Sequence, residues 1–122
     1  MARSNRSELS EQIEVVKRLR LARLLYCHVP NGGKRGRREE VLLKAAGTVA
    51  GVPDLLIFDE PPASPWQVGC ALEMKREGAR PSRVSAVQRQ WLAELSERNW
   101  LCIVGYGAQD ALVKLREAGY GV

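Results

Sequence analysis

The sequence is poor in the residues that build closed metal cages and cross-linked scaffolds. It has one histidine and three cysteines, Cys27, Cys70 and Cys102, scattered in apolar surroundings with no CxxC pair. A structural zinc site or a disulfide framework is not expected, and a reducing cytoplasm is. No apolar run approaches the roughly 20 residues that cross a bilayer, so no membrane partner is expected. The opening MARSNRSELSEQ carries charge but no apolar h-region, which argues against a secretory signal. Internal repeats and low-complexity segments are also missing.

What remains is an ordinary globular composition with a basic bias. The chain has 122 residues, 45% of them hydrophobic, enough for one small domain with its own core. The net charge is +5, and between Lys17 and Lys44 nine basic residues face only two acidic ones. A local block of one sign reads as a surface for a polyanion, nucleic acid first.

Along the chain the periodicities predict α, short β, short α, β-hairpin, α, β, α. Residues 7–25 read as a helix with Ser7 as N-cap. At about 100° per residue, Leu9, Ile13, Val15, Val16 and Leu19 form one apolar arc. Glu8 and Gln12 fall inside that arc, and Glu11, Glu14 and Arg18 fall outside it. Two polar residues on a buried face need a partner. YCHV (26–29) is a short strand and PNGGKRGRR (30–38) a basic loop. Residues 39–46 form a short helix with Gly47 at C′. Strands follow at about 54–58 and 68–75, joined by a proline-rich loop, and GARPS (78–82) breaks the chain. A helix at about 83–98 shows Val84, Val87, Trp91 and Leu95 on one face. WLCIVG (100–105) reads as a strand buried on both faces, and a last helix at about 108–118 buries Ala111, Leu112, Leu115 and Ala118. The order predicts one α/β domain, core about 8–118, with a small mixed sheet and helices on both of its faces.

The stretch GVPDLLIFDE (51–60) puts Asp54 at the mouth of an apolar strand. Alternation places Asp54, Leu56 and Phe58 on one face of that strand, and Ala71, Glu73 and Lys75 on one face of the next. A hairpin brings Asp54 beside Glu73 and Lys75. Two carboxylates that meet repel unless a cation lies between them, and hard oxygen ligands suit Mg²⁺ or Mn²⁺. A lysine beside such an ion can hold a phosphate or help acidify water, which outlines phosphodiester hydrolysis. Glu8 and Gln12 could reach this cluster from the first helix. Gln88 edges the apolar stripe of the later helix, or closes a capping box with Ser85. Asp59 reads as a loop residue, and Trp66 and Trp100 are left between stacking and packing roles.

In series, Glu8-x₃-Gln12, His28-Val-Pro-Asn-Gly-Gly, Gly51-Val-Pro-Asp54, Glu73-Met-Lys75 and Ser85-x₂-Gln88-x₂-Trp91 resemble the VRR-NUC domain. This is the virus-type replication-repair nuclease branch of the PD-(D/E)XK superfamily. The resemblance covers about residues 8–105 and rests on five motifs in order. It implies a restriction-endonuclease-like fold and an Mg²⁺- or Mn²⁺-dependent DNA endonuclease. Stand-alone members of this size, from phages and bacteria, are similar to homodimeric resolvases of branched DNA such as Holliday junctions. A bacterial or phage-infected cytoplasm is then the expected setting. The resemblance implies Asp54 and Glu73 as metal ligands, Glu8 as the assisting helical acid with Glu11 as its rival, Lys75 as the catalytic lysine and Gln88 as its support. Gln12 and Ser85 would assist. Asn31, Lys34, Arg35, Arg37 and Arg38 would contact DNA, with His28 at the loop's start. Asn99, where the family often has glycine, tolerates the left-handed conformation. Two rival readings are a non-catalytic DNA-binding module of the same fold and a restriction-type or toxin-like nuclease acting on duplex DNA.

Overall fold

A computed structural model of the chain describes residues 7–30 and 36–122. Four strands form one sheet in the order β1-β2-β3-β4. They are β1 (Tyr26–His28), β2 (Leu55–Ile57), β3 (Gly69–Lys75) and β4 (Trp100–Tyr106). β1 and β2 pair antiparallel, as do β2 and β3, while β3 and β4 run parallel. The helices are α1 (Glu8–Leu21), α2 (Arg37–Ala45), α3 (Ala86–Glu97) and α4 (Ala108–Glu117), with a 3₁₀ turn at Pro81–Arg83. The predicted element order and the mixed α/β class are both present. No helix among the described residues is long and apolar enough to cross a membrane.

The core lies on the face that carries Leu55, Ile57, Cys70, Leu72, Met74 and Ile103, covered by Val15 and Leu19 of α1 and by Leu112 and Leu115 of α4. The other face carries Ala71, Glu73 and Lys75 and is covered in part by α3, whose Leu92 carbonyl accepts from Cys102 Sγ at 3.3 Å. β4 is therefore covered on both faces, as its apolar run predicts, but it ends the sheet. Only Ile103 and Gly105 of its residues are buried. The α3 stripe is also thinner than predicted. Val84 is buried ahead of the helix, while Val87 is 48% exposed.

The first helix departs from its predicted face. Ser7 does cap it, accepting from Ser10 N at 3.1 Å. The helix stops at Leu21 because Arg23 turns left-handed at φ 56°. Leu9 and Ile13, predicted inside the arc, are 63% and 49% exposed, whereas Glu11 is 3% exposed. The reason lies in α4. Glu11 accepts from Ala108 N at 2.7 Å, at the N-terminus of that helix, where an unpaired N–H and the helix dipole favour a carboxylate. That bond rotates α1 so that Glu11, Gln12, Val15 and Leu19 face inward, and Glu8 lies on an exposed position.

Candidate active site

Three elements converge at the open end of β2. The turn ahead of that strand is locked first. Gly51 has φ 91°, and a β-carbon there would run into the Val87 and Trp91 side chains of α3, so glycine alone suits both the dihedral and the contact. Pro53 is fully buried. Asp54 then enters the ladder one residue before β2. The pairing Leu55↔Leu72, continued by one residue, puts it opposite Glu73.

Asp54 is held at both its backbone and its side chain. Its Oδ2 accepts from Met74 N at 2.7 Å. Its carbonyl accepts from Val29 N at 2.9 Å and stands 2.7 Å from His28 Nδ1. Gln12 Nε2 lies 3.1 Å from the same ring nitrogen. One nitrogen cannot donate to a carbonyl and accept from an amide at once. The arrangement closes if Nδ1–H donates to Asp54 and Gln12 presents its amide oxygen, since the two ends of a side-chain amide have nearly the same shape.

Glu73 is 2% exposed, and its Oε2 has no hydrogen-bond partner. Burial, then a hydrogen bond and charge repulsion from Asp54, push its carboxyl well above the ordinary carboxylate range, against the pull of Lys75. Glu73 thus favours its protonated form beside Asp54 where no cation is bound. Lys75 is 8% exposed, two residues along on the same face. Glu8 faces this group from α1. Partial burial raises its pKa, Lys75 and Arg83 lower it, and Asp54 raises it. So Glu8, Asp54, Glu73 and Lys75 are brought together.

The donor set fits a hard cation. It offers oxygen ligands, one buried oxygen lacks a partner, and Mg²⁺ or Mn²⁺ takes one or two carboxylates with water and substrate phosphate making up the rest. Among the described residues no three His, Cys, Asp or Glu side chains form a closed cage. The residues that could hold such an ion are Asp54 and Glu73, with Glu8 as an outlying neighbour.

The remaining predicted residues are more dispersed. Ser85 and Gln88 form the capping box of α3. Ser85 N donates to Gln88 Oε1 at 2.9 Å and Gln88 N to Ser85 Oγ at 3.2 Å. The carbonyl oxygen of Gln88 is thereby committed, which leaves its Nε2 as the group able to face a substrate. Arg37 and Arg38 are exposed at the start of α2. Asn31, Lys34 and Arg35 lie outside the described residues. Trp66 is 70% exposed, and Trp100 packs edge-on to Phe58 at 6.1 Å.

Sequence reasoning missed two things here. Asp59 is more than a loop residue, because its Oδ2 accepts from Leu25 N at 2.6 Å and its carbonyl from the Tyr120 hydroxyl at 2.7 Å. A cleft of about 560 Å³ opens beside Lys75 and Glu8, lined by Arg76, Arg80 and Arg83. Its trace in the sequence is three arginines around the GARPS break, which no local rule gathers to one place.

The VRR-NUC domain family model matches residues 6–109. A solved structure described as a VRR_NUC domain protein superposes with a TM-score of 0.71 at 19% identity, over 95% of this chain and 90% of that one. At that identity the likeness concerns the fold. No curated protein matches the chain.

Proposed function

The chain belongs to the VRR-NUC domain family, and from that premise we propose that it is a metal-dependent endonuclease that hydrolyses DNA phosphodiesters at Asp54, Glu73 and Lys75. The observation that carries this reading is the pairing of half-buried Asp54 with a buried Glu73 whose Oε2 is unpartnered, set beside a buried lysine. A protein that only bound DNA would gain nothing from two such acids turned toward phosphate.

Asp54 and Glu73, with Glu8 close by, would hold Mg²⁺ or Mn²⁺, which when bound would polarise a phosphoryl oxygen and acidify water at neutral pH. Glu73, whose burial favours its protonated form, would have to give up that proton to serve as a ligand. The Met74 amide fixes one Asp54 oxygen and leaves the other for the ion. Lys75 presents a fixed positive charge where negative charge gathers on the phosphate, and its burial keeps water from screening it. Gln12 and His28 act from behind, through the Asp54 carbonyl. His28 is exposed at the end of β1, so its outer ring nitrogen is the part available to DNA. Arg37, Arg38 and the loop residues Asn31, Lys34 and Arg35 extend the phosphate contacts.

The preferred substrate in this reading is branched DNA, a four-way junction in particular, cut by a homodimer with one site per strand. An α2 that buries none of its residues supports a second copy. One panel tests the whole reading. Linear, flap and four-way DNA are incubated with Mg²⁺, Mn²⁺ or EDTA, beside Asp54→Ala. Metal-dependent cutting of branched DNA, lost in the variant, is expected. If every substrate stays intact the enzyme reading fails and the binding-module reading takes its place. Cutting of linear duplex alone, at fixed sequences, favours the restriction-type reading.

A further inference from the structure

The cleft beside Lys75 holds four cations, Lys75, Arg76, Arg80 and Arg83, against one carboxylate, Glu8. The segment that carries the arginines is held by its own backbone. Ala79 N donates to Arg76 O at 3.0 Å, Arg83 N to Arg80 O at 2.9 Å and Val84 N to Pro81 O at 3.1 Å. Gly78 turns the chain at φ 80°, Pro81 begins the 3₁₀ turn, and Val84 is anchored at 5% exposure. Among the described residues none of the three guanidiniums has a side-chain hydrogen bond or ion pair, and of the three Arg83 alone acts at longer range, on Glu8. Arg18, Arg23, Arg37 and Arg38 likewise have no such bond or pair, while four other described arginines are employed. Arg20 bonds Tyr26, Arg89 the Val84 carbonyl, Arg98 Glu94, and Arg116 the Val122 carbonyl.

Like charges gathered at one opening repel until an anion arrives, and guanidinium forks match phosphate oxygens. The arginines are spread over the stretch 76–83, and the volume of the cleft exceeds that of one phosphate group. The Glu8 carboxylate in the same cleft opposes a doubly charged chain end more than a singly charged diester. We propose that Arg76, Arg80 and Arg83 form a phosphate track that grips successive internal phosphodiesters of the strand being cut, on the Glu8 side of the Asp54–Glu73 pair. This rests on the nuclease reading of that pair and adds which flank of the strand the protein holds.

The test is binding of a fluorescent four-way junction in EDTA at several salt concentrations. Wild type is compared with Arg76→Ala/Arg80→Ala/Arg83→Ala, with the corresponding triple lysine variant, and with Arg98→Ala/Arg116→Ala as a charge control. Every phosphate that the protein no longer neutralises lowers the slope of log affinity against log salt by about 0.9. The triple alanine variant is expected to lose affinity about 10- to 100-fold and to flatten that slope by about 2–3. The lysine variant should keep the slope and the control should match wild type. Single neutral methylphosphonates beside the cut site should weaken wild type at specific positions and leave the alanine variant indifferent there. That scan on wild type alone decides the matter if the alanine variant fails to fold, since no position-specific loss overturns the track. Unchanged affinity and slope in a folded alanine variant overturns it. So does a loss seen only with 5′-phosphorylated ends, which would make the cleft a chain-end pocket. Wild type that binds through these arginines but never cuts with Mg²⁺ or Mn²⁺ sinks the nuclease reading instead.

Discussion

Glu73 is the residue on which the chemistry turns, because it sits at odds with its own burial. With its folded pKa raised, the native state holds a proton that the unfolded chain releases above the ordinary value of 4.5. The unfolded state binds fewer protons from there upward, so stability falls as pH rises, until the folded pKa is reached. Glu73→Gln removes that dependence. In EDTA at pH 7, urea unfolding should find the variant more stable by about 1–3 kcal/mol, with a flat response between pH 5 and pH 8 where wild type declines. The same variant should lose at least about 10²-fold in cleavage rate, the scale on which charge stabilisation of a transition state is removed. A variant no more stable than wild type at pH 7 would mean that buried Glu73 does not hold a proton there. Asp54, Glu73 and Lys75 were legible in the sequence because strand alternation and a hairpin are local rules. Glu11 was not legible. Its place is set by an amide of α4 nearly a hundred residues away, and no periodicity within α1 carries that information.

At the scale of elements, the approach of α3 decides where Asp54 stands. The helix starts from the Ser85–Gln88 capping box and presses Val87 and Trp91 onto Gly51. Ser85→Ala should cost about 1 kcal/mol of stability, measurable as a lower urea midpoint with an unchanged slope. Gln88→Ala separates two roles. If Gln88 acts only as a cap, the cleavage rate per folded molecule stays within about twofold of wild type while stability drops by a similar amount. If its Nε2 also meets the substrate, the rate falls further, and Ser85→Ala does not reproduce that fall. Element order was readable from sequence because residues such as Ser7 and Gly47 punctuate the chain; Gly47 takes positive φ where predicted. The edge position of β4 was not readable, since an apolar run records the helices over its two faces and says nothing of its missing neighbour.

For the whole molecule, the charge and the uncovered surface belong together. Helix α2 buries none of its residues, and Val41 and Leu42 are 62% and 64% exposed. A dimer that covers them would leave the basic surfaces of two copies free for DNA. Sedimentation at micromolar protein should give twice the chain mass of 13.6 kDa, and Leu42→Asp should halve it and slow junction cutting. A fully active monomer would remove the two-fold model and leave the single site untouched. Composition pointed to a nucleic-acid surface through the basic block between Lys17 and Lys44. The arginines of the cleft were invisible as a group because only the 3₁₀ turn and the glycine bend bring them to one opening.

In the proposed reading Asp54 and Glu73 form the metal seat, and Glu73 gives up a proton when the ion binds. Calorimetric titration of Mn²⁺ into the protein at pH 7, repeated in buffers of different ionisation enthalpy, tests it most directly. Saturable uptake with release of about one proton per ion is expected, with uptake abolished in Asp54→Asn and proton release abolished in Glu73→Gln. Uptake unchanged in both variants, or uptake by wild type with no proton released, would contradict the account.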